Sequence, residues 1–133
     1  MENYMYTIGR NAKKASGKKI NTKTKNKVLK KYILLIEQNK KTILRENTKD
    51  IKFAYKKKIR SNLIDRLFLT PKKLNNIKDS LKKIIKLKDP VDKTLNKWYR
   101  PNGLTINKVS IPIGVMGVIY ESRPDVTSNV ASL

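Results

Sequence analysis

Residues 113–120, with the sequence Ile-Gly-Val-Met-Gly-Val-Ile-Tyr, form a near-continuous apolar run without the alternation of a half-exposed strand. Such a run is typical of a strand that is buried on both faces of a parallel sheet. The residues that follow, 121–127, contain Asp125 and Thr127, and either side chain can cap a new helix. A parallel strand needs a crossover helix and a neighbouring strand, and only about two helical turns follow this run. We therefore expect an α/β fold that is interrupted inside a βαβ unit at Leu133.

Upstream of this run, residues 95–100 and 104–111 are predicted to form the two strands of a hairpin. Pro101, Asn102 and Gly103 separate them. Asn-Gly is a strong hairpin signal because both residue types tolerate a positive φ.

Residues 5–88 have the period of helices, because apolar residues recur at spacings of three and four. A second stretch is predicted from Thr42 into the lysine cluster 56–58, and Thr70-Pro71 is a clear start signal for a third. Asp89-Pro90 is predicted to close this last helix. The inward side chains are predicted to be Val28, Leu29, Tyr32, Leu35 and Ile36 in the first stretch, Ile43, Ile51 and Ala54 in the second, and Leu74, Ile77, Leu81, Ile84 and Ile85 in the third.

The charge is strongly basic, with 32 Lys and Arg against 10 Asp and Glu in 133 residues and a formal net charge of +22. Because 26 of the basic residues are lysines and only 6 are arginines, bidentate phosphate recognition is not the general pattern. The lysines are also spread along the helices, so we interpret them mainly as solvated helix faces. Weak, nonspecific and salt-sensitive adhesion to polyanions is expected in any case. A small lysine-rich nucleic-acid-binding protein remains the alternative hypothesis.

The absence of Cys and His excludes disulfides, Cys/His zinc sites and Cys-His or Ser-His nucleophile pairs built from this sequence. No secretory signal is visible at the N-terminus. The longest apolar run of the helical part, residues 32–36, is far too short to span a membrane. These features predict a cytoplasmic chain without a membrane partner.

The loop at residues 121–125 is the candidate site, because ligands of open α/β sheets bind beyond the carboxyl ends of the strands. Arg123 is the only arginine after residue 100. Two interpretations stay open for it: contact with an anion, or an ion pair with Glu121 or Asp125. Gly114 and Gly117 do not form a Gly-x-Gly-x-x-Gly loop, so each fits close backbone packing as well as approach of a cofactor.

Residues 112–127, Pro-Ile-Gly-Val-Met-Gly-Val-Ile-Tyr-Glu-Ser-Arg-Pro-Asp-Val-Thr, closely resemble the signature of the γ-glutamyl phosphate reductases, also called glutamate-5-semialdehyde dehydrogenases. This family belongs to the aldehyde dehydrogenase superfamily. Weaker matches precede the signature in the same order, at residues 12–16, 65–71, 89–91 and 102–104. One departure is Asp125, which stands where many members carry Asn.

The resemblance implies the N-terminal helices, a β-hairpin and the first strand of a truncated Rossmann-type cofactor domain. Residues 1–92 would form its helical segment, and residues 93–133 the hairpin, the first buried strand and the start of the next helix. The whole enzyme would reduce γ-glutamyl phosphate with NADPH in proline biosynthesis and would form a homo-oligomer.

The resemblance also implies roles for individual residues. Ser122 and Arg123 would bind substrate, whereas Ile119, Tyr120 and Glu121 would support the cofactor. The family's nucleophile is a Cys thiolate, which this chain lacks, and Ser122 has no His that could activate it. The chain alone is therefore expected to be inactive.

Overall fold

The computed structural model describes residues 2–121 and 123–133, apart from the side chain of Glu2. Two compact units are present. The first contains the chain up to Ile20 together with Lys88–Gly117, and the second contains Asn21–Leu87 and Val118–Leu133. In order, the described elements are α1 (Glu2–Ser16), α2 (Thr22–Gln38), α3 (Lys40–Lys56), α4 (Ser61–Leu67), α5 (Pro71–Lys86), β1 (Thr94–Tyr99), β2 (Thr105–Val109) and α6 (Pro124–Ser132).

The core of the second unit lies between α2, α3 and α5. Buried residues of α2, α5 and the segment before α5 form its centre, and half-buried side chains of α2 and α3 pack around them. The buried members are Ile36, Leu69, Leu74, Ile77 and Leu81, and the surrounding ones are Leu29, Tyr32, Ile33, Ile43 and Leu44. Burial of these apolar side chains is the main favourable contribution to the stability of the unit.

The predicted inward face of α2 is partly wrong. Leu29, Tyr32 and Ile36 face the core as predicted, but Val28 and Leu35 are 62% and 42% exposed. Ile33 takes a core position instead. The reason is that residues 32–36 are all apolar, so periodicity alone leaves two overlapping stripes, and packing against α5 selects one of them.

Helix α5 begins where the sequence predicted. Thr70 is its N-cap, and its hydroxyl accepts a hydrogen bond from the Lys73 N–H at 3.1 Å. Pro71 occupies the first turn, where a missing N–H costs nothing. The core stripe of α5 is confirmed at Leu74, Ile77 and Leu81.

Helix α3 ends in a Schellman motif that contains no glycine. The Ile59 N–H bonds to the Ala54 carbonyl at 3.1 Å, and the Lys58 N–H bonds to the Tyr55 carbonyl at 3.0 Å. Lys58 has a φ of 53°, the left-handed conformation that this motif requires. A lysine therefore occupies the position at which glycine is usual.

In the first unit, β1 and β2 form the predicted antiparallel hairpin, with Trp98 opposite Ile106. The turn is closed by the Gly103 N–H bonding to the Arg100 carbonyl at 3.0 Å. Gly103 has a φ of 81°, whereas Asn102 stays at negative φ and accepts the Leu104 N–H through its side chain at 3.2 Å. Only one residue of the Asn-Gly pair uses the left-handed region, as in a type I turn followed by a bulge.

The predicted doubly buried strand at residues 113–120 is wrong for this structure. Residues 110–121 contain neither helix nor strand, and Ile113 and Ile119 are 84% and 103% exposed. A strand forms only beside a hydrogen-bonded neighbour, and the sheet of the described residues contains β1 and β2 alone. Residues 113–120 are all exposed, while the mixed α and β content is as predicted.

Candidate functional site

The candidate loop leads into α6, the last helix of the second unit. Helix α6 packs against α5, and its first residue is Pro124. Arg123 is the N-cap residue, and its carbonyl accepts the N–H groups of Val126 and Thr127 at 3.2 and 3.4 Å. The predicted cap by Asp125 or Thr127 is wrong, because Pro124 fits the first helical position and so moves the helix start upstream of both.

Thr127 has another role. Its Oγ1 accepts a hydrogen bond from the Tyr120 hydroxyl at 3.0 Å. This bond joins the end of the apolar run to the first turn of α6. It restricts the loop that carries the candidate residues.

Arg123 is exposed and, within residues 2–121 and 123–133, forms no ion pair. Its backbone N–H donates to the Glu121 carbonyl at 2.7 Å, but its guanidinium has neither Glu121 nor Asp125 as a partner. The structure therefore does not support the ion-pair interpretation of Arg123. The five guanidinium donors are available to a ligand.

A cleft of about 450 Å³, which we name the large cleft, lies beside Arg123. Residues of α4, of the segment before α5, of α5 and of α6, together with the residue before α6, line it. They are Asp65, Arg66, Phe68, Leu69, Lys73, Asn76, Ile77, Ser80, Arg123, Pro124, Asp125 and Asn129. The lining thus combines three cations, two carboxylates and several neutral hydrogen-bonding groups.

A second cleft, of about 230 Å³, is also lined by Arg66 and Arg123. We name it the small cleft. Its lining is more apolar and consists of Ile59, Leu63, Ile64, Arg66, Leu67, Glu121 and Arg123. Arg66 and Arg123 are the residues that line both clefts.

Lys73 is the third cation of the large cleft, but its ammonium is already engaged. It donates to the Asp65 carbonyl at 3.1 Å and to the Phe68 carbonyl at 2.6 Å. These carbonyls lie at the end of α4, where helical carbonyls lack intrahelical partners. Lys73 therefore stabilises the α4–α5 connection.

Of the other predicted site residues, Ile119 and Glu121 are exposed, and Tyr120 is 45% exposed with its hydroxyl bonded to Thr127. Ser122 lies outside the described residues. A Cβ added at Gly114 or Gly117 would meet no atom within 4 Å, so the close-packing interpretation does not hold in this structure. Gly114 has a φ of 99°, which requires glycine at that position.

Arg66 was not predicted as a site residue from its sequence context. The segment 65–71 was singled out only for its family likeness, and an arginine on a short helix carries no signal of its own. Its place beside Arg123 depends on how α4 and the loop before α6 fold together. No local pattern encodes this shared position.

Within the described residues, no helix is long and apolar enough to cross a membrane. In the same part of the chain, no group of three or more acidic, His or Cys side chains is arranged to hold a metal ion.

Comparison with known proteins gives a consistent result. The chain is 47% identical over 114 residues to a γ-glutamyl phosphate reductase of Nautilia profundicola. The aligned region covers 86% of the chain and 28% of that protein. It is 41% identical over 132 residues to the enzyme of the same name from a Sulfurihydrogenibium species, which covers 98% of the chain and 30% of that protein. No profile of a known protein family matches the chain.

Two crystal structures have the same fold over nearly the whole chain. The γ-glutamyl phosphate reductase of Thermotoga maritima superposes with a TM-score of 0.84 at 35% identity, covering 93% of the chain and 30% of that structure. The one from Saccharomyces cerevisiae gives a TM-score of 0.88 at 31% identity, covering 95% and 33%. The chain thus spans under a third of the length of the curated relatives above. The matches give no support to the alternative of a small nucleic-acid-binding protein.

Proposed function

Since the chain matches the N-terminal part of the γ-glutamyl phosphate reductases in sequence and in fold, we propose that it serves as that part of an enzyme that reduces γ-glutamyl phosphate to glutamate 5-semialdehyde. Residues 1–92 and 93–133 would then belong to one incomplete cofactor domain. The observation that supports this most is the match over 98% of the chain, which includes the loop before α6. The reaction is a step of proline biosynthesis in the cytoplasm, and the whole enzyme is a homo-oligomer.

The cofactor of this reaction is NADPH, which supplies the hydride when it is bound. The residues assigned to it are Ile119, Tyr120 and Glu121. Their exposure fits the assignment, because Ile119 presents its whole side chain as an apolar surface. The bond between Tyr120 and Thr127 holds that surface next to the start of α6.

The substrate is assigned to Ser122 and Arg123. An acyl phosphate carries negative charge, and a guanidinium binds phosphate oxygens through two parallel N–H donors. Arg123 has these donors free and lies at the N-terminus of α6, where the partial positive charge of the helix adds to its own.

The chain by itself lacks the nucleophile of the reaction. It contains no Cys and no His, so it provides neither a thiolate to attack the acyl phosphate nor an imidazole to activate Ser122. We therefore expect it to bind ligands without turning them over. Catalysis requires the remainder of the enzyme.

The test is a chimera in which this chain replaces the matched N-terminal region of the Thermotoga maritima enzyme. Its activity is measured as phosphate-dependent NADP⁺ reduction with glutamate semialdehyde, the reverse reaction. We expect activity within about tenfold of the parent enzyme, and none from the chain alone. A soluble, folded chimera without activity would refute the proposed function.

A further inference from the structure

Arg66 and Arg123 come from separate elements and line the same clefts. Arg66 lies in the last turn of α4, and Arg123 precedes α6. Both line the large cleft and the small cleft. Because they are 57 positions apart in the sequence, only the folding of the second unit brings them together.

Neither guanidinium is neutralised by a neighbour. In the part of the chain that the structure describes, neither an ion pair nor a hydrogen bond uses the side chain of Arg66 or Arg123. Two like charges beside each other repel unless an anion lies between them. Both guanidiniums therefore keep their N–H donors available to a ligand in the clefts.

The remaining lining favours a small anion. Asn76, Ser80 and Asn129 offer neutral hydrogen-bond donors in the large cleft. Asp65 and Asp125 also line it, and their carboxylates repel an extended polyanion that would pass over them. A small anion meets less of this repulsion than a polymer does.

From this convergence we infer that Arg66 and Arg123 together form a two-arginine site for a phosphoryl group. Each guanidinium offers a fork of parallel N–H donors, which matches the oxygens of a phosphate. In the proposed enzyme, Arg66 is a specificity-determining residue for the phosphate end of the substrate; this role rests on the proposed function. The phosphate site itself does not.

The phosphoryl group has two sources in such an enzyme: the acyl phosphate with its inorganic phosphate product, or the 2′-phosphate of the cofactor. The test separates them with three probes, namely inorganic phosphate, acetyl phosphate and adenosine 2′-monophosphate. Acetate is the control for an anion without a phosphoryl group. Binding to the 133-residue chain is followed by ¹H–¹⁵N NMR of the arginine Nε–H and backbone amide signals at constant ionic strength.

The variants are Arg66→Gln, Arg66→Lys and Arg123→Gln. Arg100→Gln is the matched control, because it removes the same charge from the same residue type in the hairpin turn. We expect Arg66→Gln and Arg123→Gln to raise the Kd for phosphate by about five- to tenfold, the contribution of a charge-assisted hydrogen-bonded pair. Arg66→Lys should raise the Kd less, because it keeps the charge and loses the fork.

Three results would overturn the inference. One is the absence of saturable binding of any phosphoryl probe, and another is an unchanged Kd in Arg66→Gln with a native amide spectrum. The third is an equal rise of the Kd for phosphate in Arg100→Gln, which would indicate that binding depends on the overall positive charge and not on this site. If Arg66→Gln does not fold, the Kd of Arg66→Lys for phosphate is used instead, and an unchanged Kd in that variant would overturn the inference.

Failure here is distinguishable from failure of the proposed function. In the chimera, Arg66→Gln should raise the KM for phosphate about five- to tenfold with little change in kcat. An active chimera with an unchanged KM would leave the reductase assignment intact and reject the two-arginine site. An inactive chimera, together with phosphate binding that depends on Arg66 in the chain alone, would reject the reductase assignment and leave the two-arginine site intact.

Discussion

The Asn47 side chain is joined to the backbone of Leu69: its Oδ1 accepts the Leu69 N–H at 2.8 Å. Its Nδ2 donates to the Leu67 carbonyl at 2.9 Å. Asn47 is only 6% exposed, so α3 is fastened through a buried amide to the chain that leaves α4. Because Arg66 immediately precedes this attachment, Asn47 also fixes the backbone next to one arginine of the pair.

Replacing Asn47 by Ala is expected to lower the free energy of unfolding by about 2–4 kcal/mol, because it leaves a buried N–H and a carbonyl without partners. Urea unfolding followed by circular dichroism measures the change. Asn75→Ala, on the exposed side of α5, is the control and should change stability by less than about 0.5 kcal/mol. Equal effects of the two substitutions would contradict the role of Asn47.

Ser128 is also a buried polar residue, but its side chain differs from that of Asn47 in its hydrogen bonding. It is 3% exposed, and within the described residues its Oγ has no hydrogen-bond partner. Ser128→Ala is therefore expected to leave the unfolding free energy unchanged or to raise it by up to about 1 kcal/mol. Ser132→Ala is the comparison, since the Ser132 Oγ donates to the Asn129 carbonyl at 2.9 Å. A loss of more than about 1 kcal/mol in Ser128→Ala would show that the hydroxyl has a partner.

The lysine at the end of α3 offers a stabilising substitution. Lys58 adopts a φ of 53°, which costs a residue with a Cβ about 1 kcal/mol relative to glycine. Lys58→Gly is expected to raise the unfolding free energy by about 0.5–1 kcal/mol, read from the urea midpoint. Lys57 has a φ of −83°, so Lys57→Gly relieves no backbone strain and should not raise the unfolding free energy. The same gain at both positions would point to charge and not to backbone conformation.

The ion pair between Glu37 and Lys78 makes stability depend on pH. Its hydrogen bond to Lys78 and the charge of that lysine hold the pKa of Glu37 below its usual 4.5. A lowered folded-state pKa contributes stability above the unfolded-state pKa, and this contribution is lost as the pH falls through the folded-state value.

Glu37→Gln should therefore be less stable than the unsubstituted chain at pH 7, and the difference should vanish in acid below the lowered folded-state pKa of Glu37. Thermal unfolding at a series of pH values measures it. Glu46→Gln is the control within one helix, because Glu46 pairs with Lys49 and Arg45 on α3 and also has a lowered pKa. A constant difference between pH 7 and strong acid for Glu37→Gln would exclude the ion pair as its cause.

The sequence predicted the start of α5 and the hairpin turn reliably, because each of these depends on a few neighbouring residues. Thr70-Pro71 starts α5 because a cap and a proline act within one turn. The hairpin around Gly103 follows from turn chemistry in the same way.

The predictions that failed depend on residues distant in sequence. Ile33 displaced Leu35 from the core because α5 packs on one of two possible stripes. Residues 113–120 have strand composition but no neighbouring strand among the described residues. Arg66 and Arg123 line one cleft only after α4 has packed against α3 and α6 against α5.

The most direct measurement of the central claim is kcat/KM for phosphate-dependent NADP⁺ reduction in the chimera with and without Arg123→Gln, with Arg100→Gln as the control for charge. The account predicts a loss of about 100-fold for Arg123→Gln, because a charged donor at the reacting phosphate is removed, and a loss of less than about twofold for Arg100→Gln. An Arg123→Gln chimera that keeps kcat/KM within about twofold of the unsubstituted chimera would contradict the assignment of this loop to the substrate.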